Sequence, residues 1–175
     1  MNKKFKELYT SDEFKSGGRL KGWNKKFHYY FRRCQTCQNK ILLLYYKFRF
    51  KLVRDKHHIE MPGDLYIGKG FYFGHPFCIN INPNVKIGDN FSIHKGATIG
   101  QENRGKRKGV PTIGNKVWLG INSTVVGNIT IGDDVLIAPN SYVNCDVPSH
   151  SVVIGNPCVI HHKDEATKNY INNCV

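Results

Sequence analysis

The chain has 175 residues, with 26 Lys and Arg against 13 Asp and Glu, for a formal net charge of +13. Hydrophobic residues at 40% and aromatics at 12% suffice for a packed core, which excludes wholesale disorder. No run approaches the ~18 apolar residues of a membrane-crossing helix. The start, Met1-Asn2-Lys3-Lys4-Phe5-Lys6, lacks the apolar stretch of a secretory leader, so a cytoplasmic protein is expected.

The charge concentrates at one end. Residues 1–58 hold 16 Lys and Arg and 4 Asp and Glu; the remainder is close to neutral. Residues 5–56 read mostly as helix, broken near the start by Gly17-Gly18, with Tyr29, Tyr30, Leu43, Leu44, Tyr46, Phe48, Phe50 and Leu52 among the basic residues. Such a stretch suits two uses: capping the end of a stacked domain, which is the preferred expectation, or peripheral contact with the inner face of a membrane. Only Cys34 and Cys37 of the six cysteines form a C-x-x-C pair, with no second pair at zinc spacing, so ordinary reduced thiols and no metal are expected.

From residue 59 a six-residue period takes over. Ile81, Ile87, Ile93 and Ile99, then Ile113, Leu119, Val125, Ile131, Ile137 and Val143, recur at that spacing; Ile67 and Phe73 are earlier members, with a two-residue slip before Ile81. Gly followed by Asp or Asn marks many of the intervals, as in Ile87-Gly88-Asp89-Asn90, Ile113-Gly114-Asn115 and Ile131-Gly132-Asp133-Asp134. Those residues accept tight corners, so each hexad is a very short strand plus a corner. One hexad buries little alone, whereas stacked coils bury a continuous core. Twelve hexads at three per turn predict about four coils.

The step from Ile99 to Ile113 exceeds the period by eight residues, so a basic loop around 102–110 is expected to protrude and to border a binding site. After Val147-Pro148 the chain is expected to leave the coils. The predicted division is a basic helical segment 1–58, a β-solenoid domain 59–160 and a tail 161–175.

The hexads, with Gly74-His75-Pro76, Thr98-Ile99-Gly100, Pro111-Thr112-Ile113-Gly114, Val117-Trp118-Leu119-Gly120 and Val153-Ile154-Gly155-Asn156-Pro157, resemble the hexapeptide-repeat acyltransferases. The nearest branch is the serine acetyltransferase-like group, including O-acetyltransferases of capsular and other surface polysaccharides. The resemblance covers about residues 59–160. It implies a mainly β fold, a left-handed parallel β-helix with a helical N-terminal segment. It also implies a homotrimer that binds acetyl-CoA between subunits.

Moving an acetyl group from a thioester to an alcohol needs a base for the hydroxyl proton. His75 falls where the family carries its catalytic histidine. The family's orienting acid lies 15 residues upstream of that histidine, which points to Glu60, with Asp64 as the fallback. A covalent route through Cys78 is the less favoured mechanism. By matched position the resemblance assigns cofactor contacts to Gly100, Gln101, Gly120, Ile121, Ala138 and Pro139. Trp118 is a candidate wall of the acetyl pocket, and Lys163, Arg104 or Lys106 are candidate partners of the phosphates.

The acceptor reading rests on three departures. Where true serine acetyltransferases carry an Asp before the catalytic His and an Arg-His pair, this chain has Gly74, Gly109 and Val110. The expectation is therefore a neutral acceptor, a sugar hydroxyl on a polysaccharide precursor. The alternatives are a serine O-acetyltransferase and a non-catalytic trimeric β-solenoid binding protein. No nucleic-acid partner is expected, since the basic segment carries no recognised motif.

Overall fold

The computed structural model describes residues 2–175. Three helices, α1 (Lys3–Lys15), α2 (Gly22–Thr36) and α3 (Lys40–Asp55), precede a stack of short strands. Asn2 and Asn39 cap α1 and α3 by accepting backbone N–H groups of the first turn.

The strands form four successive coils of three. The first holds β1 (Tyr66–Ile67), β2 (Tyr72–Gly74) and β3 (Asn80–Ile81); the second β4 (Lys86–Ile87), β5 (Ser92–His94) and β6 (Thr98–Gly100). The third holds β7 (Thr112–Ile113), β8 (Trp118–Leu119) and β9 (Thr124–Val126); the fourth β10 (Thr130–Ile131), β11 (Val135–Ile137) and β12 (Tyr142–Val143). Corresponding strands pair in parallel, giving the walls β1-β4-β7-β10, β2-β5-β8-β11 and β3-β6-β9-β12. Every residue of the six-residue series lies in one of these strands and points inward. Ile67, Ile87, Ile113 and Ile131 stack in register down one wall, and each is at most 2% exposed. Burying each such side chain is worth ~1.5–3 kcal/mol, so the period is the core written linearly.

The Gly-Asp/Asn signature is explained at the corners. The side chains of Asp89, Asn115 and Asp133 accept the backbone N–H groups of Lys69, Asp89 and Asn115 respectively, each one coil below. Coils lie so close there that a Cβ on Gly88 would come within 2.5 Å of Asn115 Oδ1.

Two features differ from expectation. The chain does not leave the stack after Pro148: β13 (Ser151–Ile154) extends the β11 wall in parallel, and β14 (Val159–His162) returns antiparallel to it. The tail then folds back along the prism, where Ala166 and Thr167 donate backbone N–H groups to Asp134.

The helices cover the first coil. Arg32 is fully buried and bonds both oxygens of Asp12, at 2.8 Å each, together with the carbonyls of Ile67 and Gly68. Asp12 Oδ1 also accepts the N–H of Phe71 at 2.9 Å, and the Phe27 ring meets Phe73 edge-on at 4.8 Å. The open end of the solenoid is thereby closed by aromatic packing and a satisfied charge pair.

Candidate active site

His75 sits in the corner between β2 and β3, at the two-residue slip in the repeat. The longer corner lets its side chain stand exposed, and its backbone is left-handed, with φ +55°, a conformation uncommon for non-glycine residues. The corner is braced from the segment after α3. His57 Nδ1 donates to the Pro76 carbonyl at 2.8 Å, Cys78 N donates to the His57 carbonyl at 2.9 Å, and the His58 and Phe77 rings meet edge-on.

The same ridge of the prism gathers several other predicted residues. Gly74 pairs with His94 across β2 and β5; Gly120 and Ala138 each follow a ladder residue on the next two coils, Leu119 and Ile137. The column Gly74, His94, Gly120, Ala138 therefore runs along one edge, and Phe77, Lys95, Ile121 and Pro139 form the column beside it, with His75 in the extra residues of the slip between them. Backbone bonds tie these corners together, from Gly96 to Phe77, Asn122 to Lys95 and Asn140 to Ile121.

Other predicted residues lie elsewhere. Gly100 and Gln101 are at the far edge of the third wall, where the chain enters the basic loop, and Gln101 bonds Asn103. That loop is closed by a Glu102–Gly109 bridge and borders an open cleft of about 590 Å³ lined in part by Arg104, Lys106, Arg107 and Val126. Lys163 is exposed at the end of β14, its backbone N–H bonded to the His150 carbonyl. Trp118 is half-buried on the outside of β8 between the rings of His94, 4.5 Å away, and Tyr170 of the tail, 4.9 Å away. Glu60 bridges to Asn80 and accepts a hydrogen bond from its Nδ2 at 2.9 Å; no hydrogen bond joins it to His75. Asp64 pairs with Lys47 instead, and Cys78 is exposed on the His75 corner.

His94 was not among the predicted residues. Its Nδ1 donates to the Leu119 carbonyl at 3.0 Å, which leaves the Nε2 lone pair facing Gly74. Burial lowers its pKa below the ordinary 6.5, and the proximity of His75 lowers it further against the opposing Leu119 bond. His94 is thus held neutral as a hydrogen-bond acceptor beside the exposed imidazole of His75. The signal in the sequence was the pairing of a glycine with a histidine at equivalent hexad positions.

Residues 111–145 match the family described as bacterial transferase hexapeptide (six repeats). The serine acetyltransferase of Helicobacter pylori (strain ATCC 700392 / 26695) is 36% identical over 106 residues, covering 61% of this chain and 62% of that protein. The Staphylococcus xylosus serine acetyltransferase is 37% identical over 106 residues, covering 61% of this chain and 49% of that protein. The chain thus spans about half to six-tenths of the curated relatives it matches. A solved serine acetyltransferase in complex with CoA superposes with a TM-score of 0.73 at 22% identity, over 91% of this chain and 71% of that one. The soybean serine acetyltransferase apoenzyme gives 0.72 at 23%, over 91% and 70%.

These relatives overturn the sugar-acceptor expectation, and the polysaccharide branch with it. The expectation treated Gly74, Gly109 and Val110 as lost contacts at matched positions. In space, the ring of His94 fills the place beside Gly74, near His75, so a polar group reaches the region from another position. The chain carries the hexapeptide repeat of the bacterial transferases on the fold of the solved serine acetyltransferases.

Proposed function

We propose that this protein is an acetyl-CoA-dependent acyltransferase that acetylates the hydroxyl of serine. The observation that carries the reading is the placement of an exposed His75, on a braced and left-handed corner, at the head of a ridge of small residues. Its support is the likeness to proteins named serine acetyltransferase over 61% of the chain. The reading runs a pantetheine-like chain along this ridge, past the small residues Gly120 and Ala138.

Acetyl-CoA when bound supplies an activated thioester carbonyl. His75 takes the proton from the serine hydroxyl as its oxygen forms the ester bond, then returns that proton to the departing thiolate sulfur, so no covalent enzyme intermediate is needed and Cys78 has no role. General-base help of this kind is typically worth ~10²–10⁴ in rate. His94 Nε2 accepts a hydrogen bond from the serine ammonium, and Lys95 meets its carboxylate. Glu60 steadies the His75 ring once substrate binding tightens the site. Ile121 and Pro139 line the donor groove in one copy, and Gly100 and Gln101, which lie away from that ridge, and Trp118, on the outside of β8, would reach it from a neighbouring copy, with Lys163 or the loop cations at its phosphates. A second copy of the chain completes the groove in a homotrimer.

The test is thiol release from acetyl-CoA with and without serine. Asn is the informative replacement for His75, since it tolerates the left-handed backbone that Ala resists. Serine-dependent release with a loss of at least 10² in kcat in His75→Asn is expected. Release that does not depend on serine, or that survives in His75→Asn, overturns the reading.

A further inference from the structure

We propose that the outer face of α3 docks the protein on an anionic lipid bilayer, a surface role independent of acyl transfer. One side of α3 faces inward: Phe50 is buried, and Leu43, Tyr46 and Val53 pack against the core. The opposite side is also apolar. Ile41, Leu44, Tyr45, Phe48 and Leu52 are exposed, at 79%, 70%, 47%, 60% and 51%. At 100° per residue these five fall within an arc of about 100°, a continuous stripe along a helix ~24 Å long. A helix that is apolar on both faces calls for a cover on its outer one.

The flanks identify the cover. Lys40, Lys47 and Lys51 border the stripe on one side, and Arg49 and Lys56 on the other. Among the described residues Lys40, Lys51 and Lys56 make no ion pair, Lys47 pairs with Asp64, and the one acid of the helix, Asp55, pairs with Arg54. An apolar stripe edged on both sides by cations is the geometry of a helix lying in a bilayer interface, with rings and aliphatic groups among acyl chains and ammonium groups at lipid phosphates. Among the described residues no helix is long and apolar enough to cross a membrane, so the helix lies along the surface. A second copy is the disfavoured occupant, because a two-fold contact through this face would oppose two cationic borders within segments of net charge +12.

Co-sedimentation of the full chain with vesicles tests the proposal. Phosphatidylcholine vesicles are compared with equimolar phosphatidylcholine and phosphatidylglycerol, at low and raised salt. Binding is expected only to the mixed vesicles and is expected to weaken with salt. Leu44→Ser/Phe48→Ser should bind at least tenfold more weakly, and Lys40→Gln/Lys51→Gln should lose about fivefold per lysine. These side chains are exposed, so circular dichroism should match the parent chain. Binding that ignores lipid charge, or that both variants retain, overturns the proposal. So does an absence of binding with a fall in solution mass in Leu44→Ser/Phe48→Ser, which would make α3 a contact between copies.

Discussion

The ring of His94 occupies the space that any side chain at position 74 would need. A Cβ on Gly74 would come within 2.1 Å of His94 Nε2, and the ring is held there by the Leu119 carbonyl and by Trp118. The two positions are therefore one steric unit. Gly74→Ala must displace the imidazole, and overpacking of this kind costs ~1–3 kcal/mol. In a His94→Ala background the same change should cost well under that amount, giving a coupling of ~1 kcal/mol or more in a double-mutant cycle from urea midpoints. Additive costs would show that the ring yields freely. If the site is as proposed, His94→Ala alone should raise the KM for serine while leaving thiol release from acetyl-CoA dependent on His75.

The depressed pKa of His94 has a sign that can be measured. Burial, its largest cause, disfavours the imidazolium in the folded chain. On acidification the unfolded chain takes up the proton first, so the unfolded state binds more protons between the folded pKa and about 6.5. The contribution to stability is complete above that window and drains away as pH falls through it. Urea midpoints of the parent chain should drop between about pH 7 and pH 5 more than those of His94→Leu. Parallel curves would mean that His94 carries no such linkage.

How legible all this was depended on whether a feature repeats. The hexads placed every strand from Tyr66 to Val143, because a stacked coil needs one inward aliphatic residue per wall, and six residues is the length of a wall with its corner. The slip between Phe73 and Ile81 was visible as two extra residues, and it makes the corner that carries His75. The period also sets His94 opposite Gly74, but no local motif distinguishes His94 from any other outward-facing residue, so its place shows only when positions are compared between coils. The acceptor inference failed for the same reason, since it compared matched positions where space is shared by neighbours from other coils. The return of the tail was hidden because it hangs on bonds spanning more than 30 residues, from Asp134 to Ala166 and Thr167.

Arg32 joins the two halves of the molecule, and its removal should separate them energetically. It is fully buried, bonded to Asp12 and to carbonyls of the first coil. Arg32→Met leaves Asp12 without its guanidinium partner in a dry interior, a situation that costs ~3–5 kcal/mol. Arg32→Met/Asp12→Asn should recover much of that loss, since a neutral amide can still accept from Phe71 N. Denaturant unfolding measures both. A single variant within ~1 kcal/mol of the parent would show that the pair contributes nothing to the capping of the solenoid.

Asp134 fastens the tail, and it does so only while ionised. Its Oδ1 accepts from Thr167 Oγ1 at 2.6 Å and from Thr167 N at 3.2 Å, and its Oδ2 accepts from Ala166 N at 2.9 Å and from His150 Nδ1 at 3.1 Å. Burial pushes its pKa up, but the Thr167 bonds, His150 and Lys116 together outweigh burial and hold it below the usual carboxylate value. The fastening is therefore present above about pH 4 and is lost as pH falls through the lowered pKa. Asp134→Asn presents an amide N–H₂ to donors on one side, and losing those bonds from a buried site costs ~1–3 kcal/mol. Hydrogen exchange read by mass spectrometry should show residues 163–175 deprotected in Asp134→Asn while the twelve strands of the four coils stay protected. Because Tyr170 rides on Trp118, freeing the tail should also expose Trp118 and red-shift its fluorescence. Unchanged protection at Ala166 and Thr167 would mean that packing of Ala166 and Ile171, rather than the carboxylate, holds the tail in place.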